Sequence, residues 1–278
     1  MTLSEILRGA IDTHVHSSPD VIPRKLDDME LVRQAQAAGM GGLMLKCHHA
    51  CTCERAYLLN RFFPGMRVFG GIVLNEPAGG FNPHAVEAAL KMGAAQVWMP
   101  TKSAANHQMH LGGRGGFTIF NGARLKDDVA LILRLIAEAD AILATGHLSP
   151  EESRVLIGEA QAAGVRRISV THPEWGVTAM PVDVQQKLAT SGSVFFERCL
   201  VSTRPDLQAT VPFETLVGQI RSVGVATTIA ATDYGLPQLP TPLEGLTDFA
   251  TRLLQSGFSP ADVRRMVRDN PARLLRVE

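Results

Sequence analysis

Ala163-Gly164-Val-Arg-Arg167-Ile-Ser-Val170-Thr-His172 carries a fold signal and a chemical one in a single stretch. The helical apolar pattern before it stops at Gly164. Glycine takes left-handed backbone after a helix without a Cβ penalty. An apolar run from Arg167 to Val170 follows and reads as a strand. The same junction recurs at Gly39 before Gly42-Leu-Met-Leu45, at Gly65 before Val68-Phe-Gly-Gly-Ile-Val73, and at Gly93 before Gln96-Val-Trp-Met99. It recurs again at Gly192 before Val194-Phe-Phe196 and at Gly224 before Thr227-Thr-Ile-Ala230. Two further strands, near 11–16 and at Ala141-Ile-Leu-Ala144, bring the number to eight.

Helical patterns alternate with these strands, near 28–38, 52–62, 83–92, 125–138, 150–163, 181–190, 212–223 and 244–256. Asn82-Pro83 and Ser149-Pro150 are recognisable helix starts. Strands that alternate with helices form a parallel sheet, because parallel neighbours need crossover connections. Eight such units in this length predict an α/β fold, a closed (β/α)8 TIM barrel formed as a single domain over residues 1–278. A doubly wound open sheet is the second choice.

Composition narrows the function classes. The chain of 278 residues is 45% hydrophobic, ample for a sizeable core, and its formal net charge is zero with no basic stripe. Nucleic acid and membrane are therefore not expected as partners; a small-molecule substrate is, and homo-oligomerisation stays open. No apolar run reaches membrane-span length and the N-terminus lacks a signal-peptide pattern. Three of the four cysteines, Cys47, Cys51 and Cys53, crowd together, unlike a secreted disulfide framework. A cytoplasmic protein is the expectation.

Barrel chemistry is built at the C-terminal ends of the strands. Strand one reads Ile11-Asp12-Thr13-His14-Val15-His16, and residues two apart share a face, so Asp12, His14 and His16 are expected to project together. Strand five ends Ala144-Thr-Gly-His147, strand six Val170-Thr-His172, and strand eight Ala231-Thr-Asp233-Tyr-Gly. Taken singly, each has a duller explanation: a hydrogen-bonded core histidine, or an aspartate that forms a turn. Taken together, His14, His16, His147, His172 and Asp233 supply ligands suited to a divalent transition metal, whether Zn, Mn, Fe, Co or Ni.

At this point the whole chain resembles the amidohydrolase superfamily of metal-dependent barrels. The set Asp12-x-His14-x-His16, His147, His172 and Asp233, on strands one, five, six and eight, is similar to that family's metal site. Asp269-Asn-Pro-Ala-Arg-Leu-Leu275 looks like the segment that closes many members. The resemblance implies one or two metal ions, with zinc the first choice. It also implies attack of metal-activated water on an amide, cyclic-amide or ester carbonyl of a small organic substrate. Asp233 would be the catalytic acid/base and His172 a second catalytic residue. Non-oxidative decarboxylation and phosphoester cleavage run on the same metal shell, and a non-catalytic metal-binding protein is the remaining alternative.

One departure concerns the bridging ligand. Binuclear members place a carboxylated Lys or a Glu at the end of strand three or four, where this chain offers only Glu76 and Lys102, both late. Lys46, at the end of strand two beside His48, has the better position, as a bridge or as a salt bridge or substrate anchor. Arg24 and Arg114 are candidates to hold a substrate carboxylate. The Gly-rich segment 101–124 is expected to be a structureless excursion, either a mobile lid or a surface loop. In Lys46-Cys-His-His-Ala-Cys-Thr-Cys53, His48 is expected to face the barrel mouth and the cysteines to pack at the start of the next helix.

Overall fold

A computed structural model describes residues 2–277 of the chain. Eight barrel strands are found among them: β1 (Ile11–Val15), β2 (Gly42–Leu45), β3 (Arg67–Phe69 continued by Gly71–Val73), β4 (Gln96–Trp98), β5 (Ile142–Ala144), β6 (Ile168–Thr171), β7 (Val194–Cys199) and β8 (Thr228–Ala231). Each pairs in parallel with the next, from Ile11 opposite Gly42 through to Phe196 opposite Thr228. The ring closes between β8 and β1, where Val15 bridges Tyr234 in parallel. His16 N donates to Tyr234 O at 2.9 Å and Asp233 N to His14 O at 2.8 Å. The α/β barrel expected from the sequence is therefore present, its first and last strands joined at this seam by an isolated bridge.

Local chemistry explains the two irregular strands. β3 breaks at Gly70 because Thr52 wedges in beside it. The Thr52 hydroxyl donates to Leu45 O at 2.9 Å and accepts from Gly71 N at 2.9 Å, and a Cβ on Gly70 would lie 2.6 Å from Thr52 O. β1 shifts register between Asp12 and Val15. This corrects the simple alternation expected for strand one. The Asp12 carboxylate accepts from His14 N (3.2 Å), Thr232 N (3.1 Å) and the Thr232 hydroxyl (2.6 Å), so it staples β1 to the strand-eight end instead of joining the histidines.

The core has two layers. Inside the cylinder Ile11, Met44, Val73, Trp98, Phe195 and Ile229 fill the lower half, with Leu274 and Leu275 of the C-terminal helix as a plug. Asn270 holds that helix by donating to Val225 O at 2.7 Å and Thr228 O at 2.6 Å. Burying each leucine contributes roughly 1.5–3 kcal/mol. Outside, helices such as Asp127–Glu138 and Pro242–Gln255 bury Ile132, Leu133, Leu246 and Phe249 against the strands. No helix among the described residues is long and apolar enough to cross a membrane.

The 101–124 segment differs from expectation. It contains a helix, Ala105–His110, and a short hairpin pairing Phe120–Asn121 with Arg124–Leu125. Asn106 pins the helix by donating to His147 O (3.1 Å) and Val177 O (2.7 Å). One of its glycines serves packing: Gly116, at φ +92°, sits where a Cβ would lie 2.8 Å from Ala105 N and Ser103 O.

Removing the β1–β8 staple tests its weight. Asp12→Ala removes the acceptor of the His14 and Thr232 backbone N–H groups and of the Thr232 hydroxyl, and is expected to lower unfolding free energy by about 2–4 kcal/mol. Urea denaturation followed by circular dichroism reads this. A loss below about 0.5 kcal/mol would make the staple incidental.

Candidate metal centre

The irregular β1 end carries His14 and His16 to the mouth, and the seam with β8 sets Asp233 against them. His14 Nε2 and His16 Nε2 both lie 3.0 Å from Asp233 Oδ1, and His172 Nε2 lies 3.3 Å from Oδ2. His172 (φ 51°) and Asp233 (φ 52°) hold left-handed backbone as they leave their strands. Such residues cost about 1–3 kcal/mol and persist where the surroundings over-determine them. Here the fixing contacts are His172 N donating to Glu197 O at 3.0 Å and Asp233 N donating to His14 O.

Two residues behind the cluster escaped the sequence reading. Glu197, buried on β7, has Oε2 3.0 Å from His14 Nδ1 while Oε1 accepts from the Thr13 hydroxyl at 2.7 Å. Cys199 Sγ lies 3.6 Å from His14 Nδ1. Their signal is the polar pair two apart in Val194-Phe-Phe-Glu-Arg-Cys199, the spacing of one strand face. Lys46, fully buried, points its ammonium at His14 Nε2 (2.9 Å) with the Trp98 ring 5.7 Å away.

His147 stands next to this group. Its ring lies 5.6 Å from His172, and its Nδ1 is 2.9 Å from Nδ1 of His107, which the 105–110 helix inserts. No pattern in the linear chain singles out His107; only the folded segment brings it in. His48 faces the mouth as expected, its ring 4.9 Å from that of His16 and its Nδ1 2.9 Å from the Thr101 hydroxyl.

Other candidates fall elsewhere. The Arg24 guanidinium is taken by Asp20, at 2.7 Å through Nε and 2.6 Å through Nη2, with Nη2 3.2 Å from His16 Nδ1. It buttresses His16 instead of standing free for a substrate. Arg114 and Glu76 are exposed and line a separate recess with Ser103, Gln108 and Phe117. Lys102 stands on the wall of the cavity above the cluster. The cysteines are free; Cys53 opens the helix Cys53–Phe62 as expected, with Cys51 beside it. Cys47 forms a donor group with Asp20 and His49, but Arg24 already occupies the Asp20 carboxylate.

The electrostatics suit a divalent ion. Burial pushes His16 down to about 3 and holds His48, His147 and His172 below the ordinary imidazole range, so these rings are neutral with lone pairs to offer. For His14 burial works the same way, but Asp233 and Glu197 outweigh it and raise its pKa. Burial opposes ionisation of Asp233, yet the surrounding histidines hold its carboxyl well below the usual range. Neutral imidazoles and a carboxylate are the donor set of zinc and its neighbours. A carboxylate behind a ligating histidine fixes its tautomer. The residues fit the ion; a cation at His14 Nε2 and the Lys46 ammonium exclude each other there.

Glu197→Gln separates a tuning carboxylate from a strut. Zinc affinity, measured by chelator competition, is expected to fall about 10–100-fold with the fold retained. Unchanged affinity would leave Glu197 a packing residue.

Known structures share the architecture. An amidohydrolase from Pseudomonas aeruginosa superposes with TM-score 0.68 at 12% identity, covering 99% of this chain and 98% of that one. An amidohydrolase from Burkholderia multivorans, with bound zinc, gives 0.63 at 13% identity, covering 97% and 99%. A 2,6-dihydroxybenzoate decarboxylase complexed with 2,6-dihydroxybenzoate gives 0.54 at 13% identity, covering 97% and 100%. No curated protein matches the sequence. The model of a family of unknown function, DUF6282, matches residues 9–197, a span that holds His14, His16, Lys46, His147, His172 and Glu197. The chain thus has the fold that amidohydrolases share, and it belongs to the DUF6282 family.

Proposed function

We propose that this protein is a metal-dependent hydrolase acting on an amide, cyclic-amide or ester carbonyl of a small organic substrate. The observation that carries the reading is the convergence of three imidazole nitrogens on the Asp233 carboxylate within 3.0–3.3 Å, at the floor of an open cavity. His14, His16 and Asp233 hold a divalent ion, zinc by first choice, with His172 and His147 as further ligands if a second ion binds. Such an ion supplies Lewis acidity that acidifies water and polarises a carbonyl.

The remaining work belongs to the side chains. Asp233 is ionised at neutral pH, because its histidine neighbours keep its pKa low, and is therefore ready to accept a proton. It takes that proton from the attacking water and returns it to the leaving group. His172, 3.3 Å from Asp233, hydrogen-bonds the developing oxyanion in a one-metal site. Glu197 and Arg24 hold the rings of His14 and His16, so little reorganisation accompanies the reaction.

The family resemblance and the zinc-bound neighbour support this reading over a non-catalytic binder, as does the strained, ionised Asp233. Decarboxylation is the competing chemistry, because one neighbour is a decarboxylase. Carbon dioxide release without water consumption would replace hydrolysis by it.

Replacing His14 and His16 together by Ala is expected to abolish zinc retention, read by elemental analysis; undiminished zinc would remove them as ligands. Asp233→Asn is expected to lower kcat about 10²–10⁴-fold on a panel of aryl esters, anilides and lactams, with most of the metal retained. Activity within a few-fold of wild type at full metal occupancy would remove Asp233 from the mechanism.

A further inference from the structure

A cavity of about 360 Å³ opens above Asp233, His147 and His172. Its size is at the small end for organic ligands and suits a single substituted ring. The walls are apolar: Leu111 from the 101–124 segment, Val201 and Leu207 from the stretch after β7, and Leu236 past β8. Trp175 forms one side. Its indole N–H donates to Gln208 O at 3.0 Å, which fixes the ring, and the ring meets His147 and His172 edge-on at 5.0 and 5.6 Å.

The charges on these walls are unequal. Asp206 is paired with Arg204 at 3.2 Å, and Asp233 belongs to the histidine cluster. Lys102 has neither an ion pair nor a side-chain hydrogen bond among the described residues, although its backbone is fixed by Gln108 Nε2 donating to its carbonyl at 2.7 Å. Lys102 is exposed at the cavity wall; partial desolvation there and the neighbouring Arg24 push its pKa down, while Asp20 and Asp233 act the other way without forming an ion pair with it. Arg24, also near the mouth, is neutralised by Asp20. An apolar pocket with one unpaired cation on its wall selects a ligand with an apolar body and one negative group.

We propose that the cavity takes a small monocarboxylic acid with an aromatic or apolar body, its carboxylate held by Lys102 and its ring by Trp175 and the leucine walls. The inference rests on the hydrolase reading only for what then happens to the acid; recognition itself stands on the cavity. Lys102 is thereby a specificity residue, and the group to be cleaved is directed to the other end of the pocket, toward Asp233.

Trp175 supplies the measurement. The chain has two tryptophans, and Trp98 is fully buried beneath Lys46, so ligand-dependent emission changes report on Trp175; Trp175→Phe is the control that should abolish them. Zinc-loaded protein is titrated with benzoate and with benzyl alcohol, its uncharged analogue. Benzoate is expected to bind about tenfold more tightly than the alcohol. Lys102→Met should remove that advantage while leaving the alcohol unchanged, and Lys102→Arg should restore most of it. Several results overturn the proposal: no preference for benzoate, no binding of either compound, or benzoate affinity undiminished in Lys102→Met, which would place the carboxylate on the metal. Zinc content and the Asp233→Asn kinetics judge the hydrolase reading separately, because an active zinc enzyme can fail the benzoate test and an inactive one can pass it.

Discussion

The seam between β1 and β8 is the constraint on which the rest depends. Closing a parallel barrel requires its first and last strands to meet, and here they meet through the Asp12 carboxylate on Thr232 and through the bonds linking His14 and His16 to Asp233 and Tyr234. The same bonds that close the cylinder set the Asp233 carboxylate 3.0 Å from two imidazoles. The chain places its most distant candidate ligands side by side at no further cost in loop ordering.

Charge burial is the second theme. The cluster gathers Lys46, His14, Glu197 and Cys199 where water is nearly absent, with Asp233 partly exposed at the cavity floor. In such surroundings a charge survives only when paired, and the pairs are visible: His14 between two carboxylates, Arg24 on Asp20, and Arg198 on Glu174 at 3.0 Å. The last pair supports the turn that carries Trp175, since Glu174 and Trp175 are adjacent. The remaining histidines are kept neutral by burial, the state in which imidazole binds a metal.

The 101–124 segment shows why composition misleads about order. Its glycines suggest a flexible flap, yet Gly116 gives room for tight packing, and Phe117 lies against Gly80 and beside Phe81. Asn106 anchors the helix to the loops after β5 and β6. The folded segment brings His107 to His147 and Leu111 and Lys102 to the cavity.

The linear chain by itself determined the alternation of strands and helices, the eightfold count and the positions of His14, His16, His147, His172 and Asp233 at strand ends. These depend on local patterning: apolar periodicity, glycine at helix ends and turn residues after strands. Only the tertiary structure decided which side chains meet. Asp12 bonded Thr232 instead of joining the histidines, and Asp20 captured Arg24 across a turn. Glu197 and His107 reached the site from strands and helices distant in sequence. Arg114 and Glu76, plausible by position, came to rest together in another recess. Side-chain partnership depends on register and through-space distance, neither of which is written in local sequence, whereas strand ends in a barrel are.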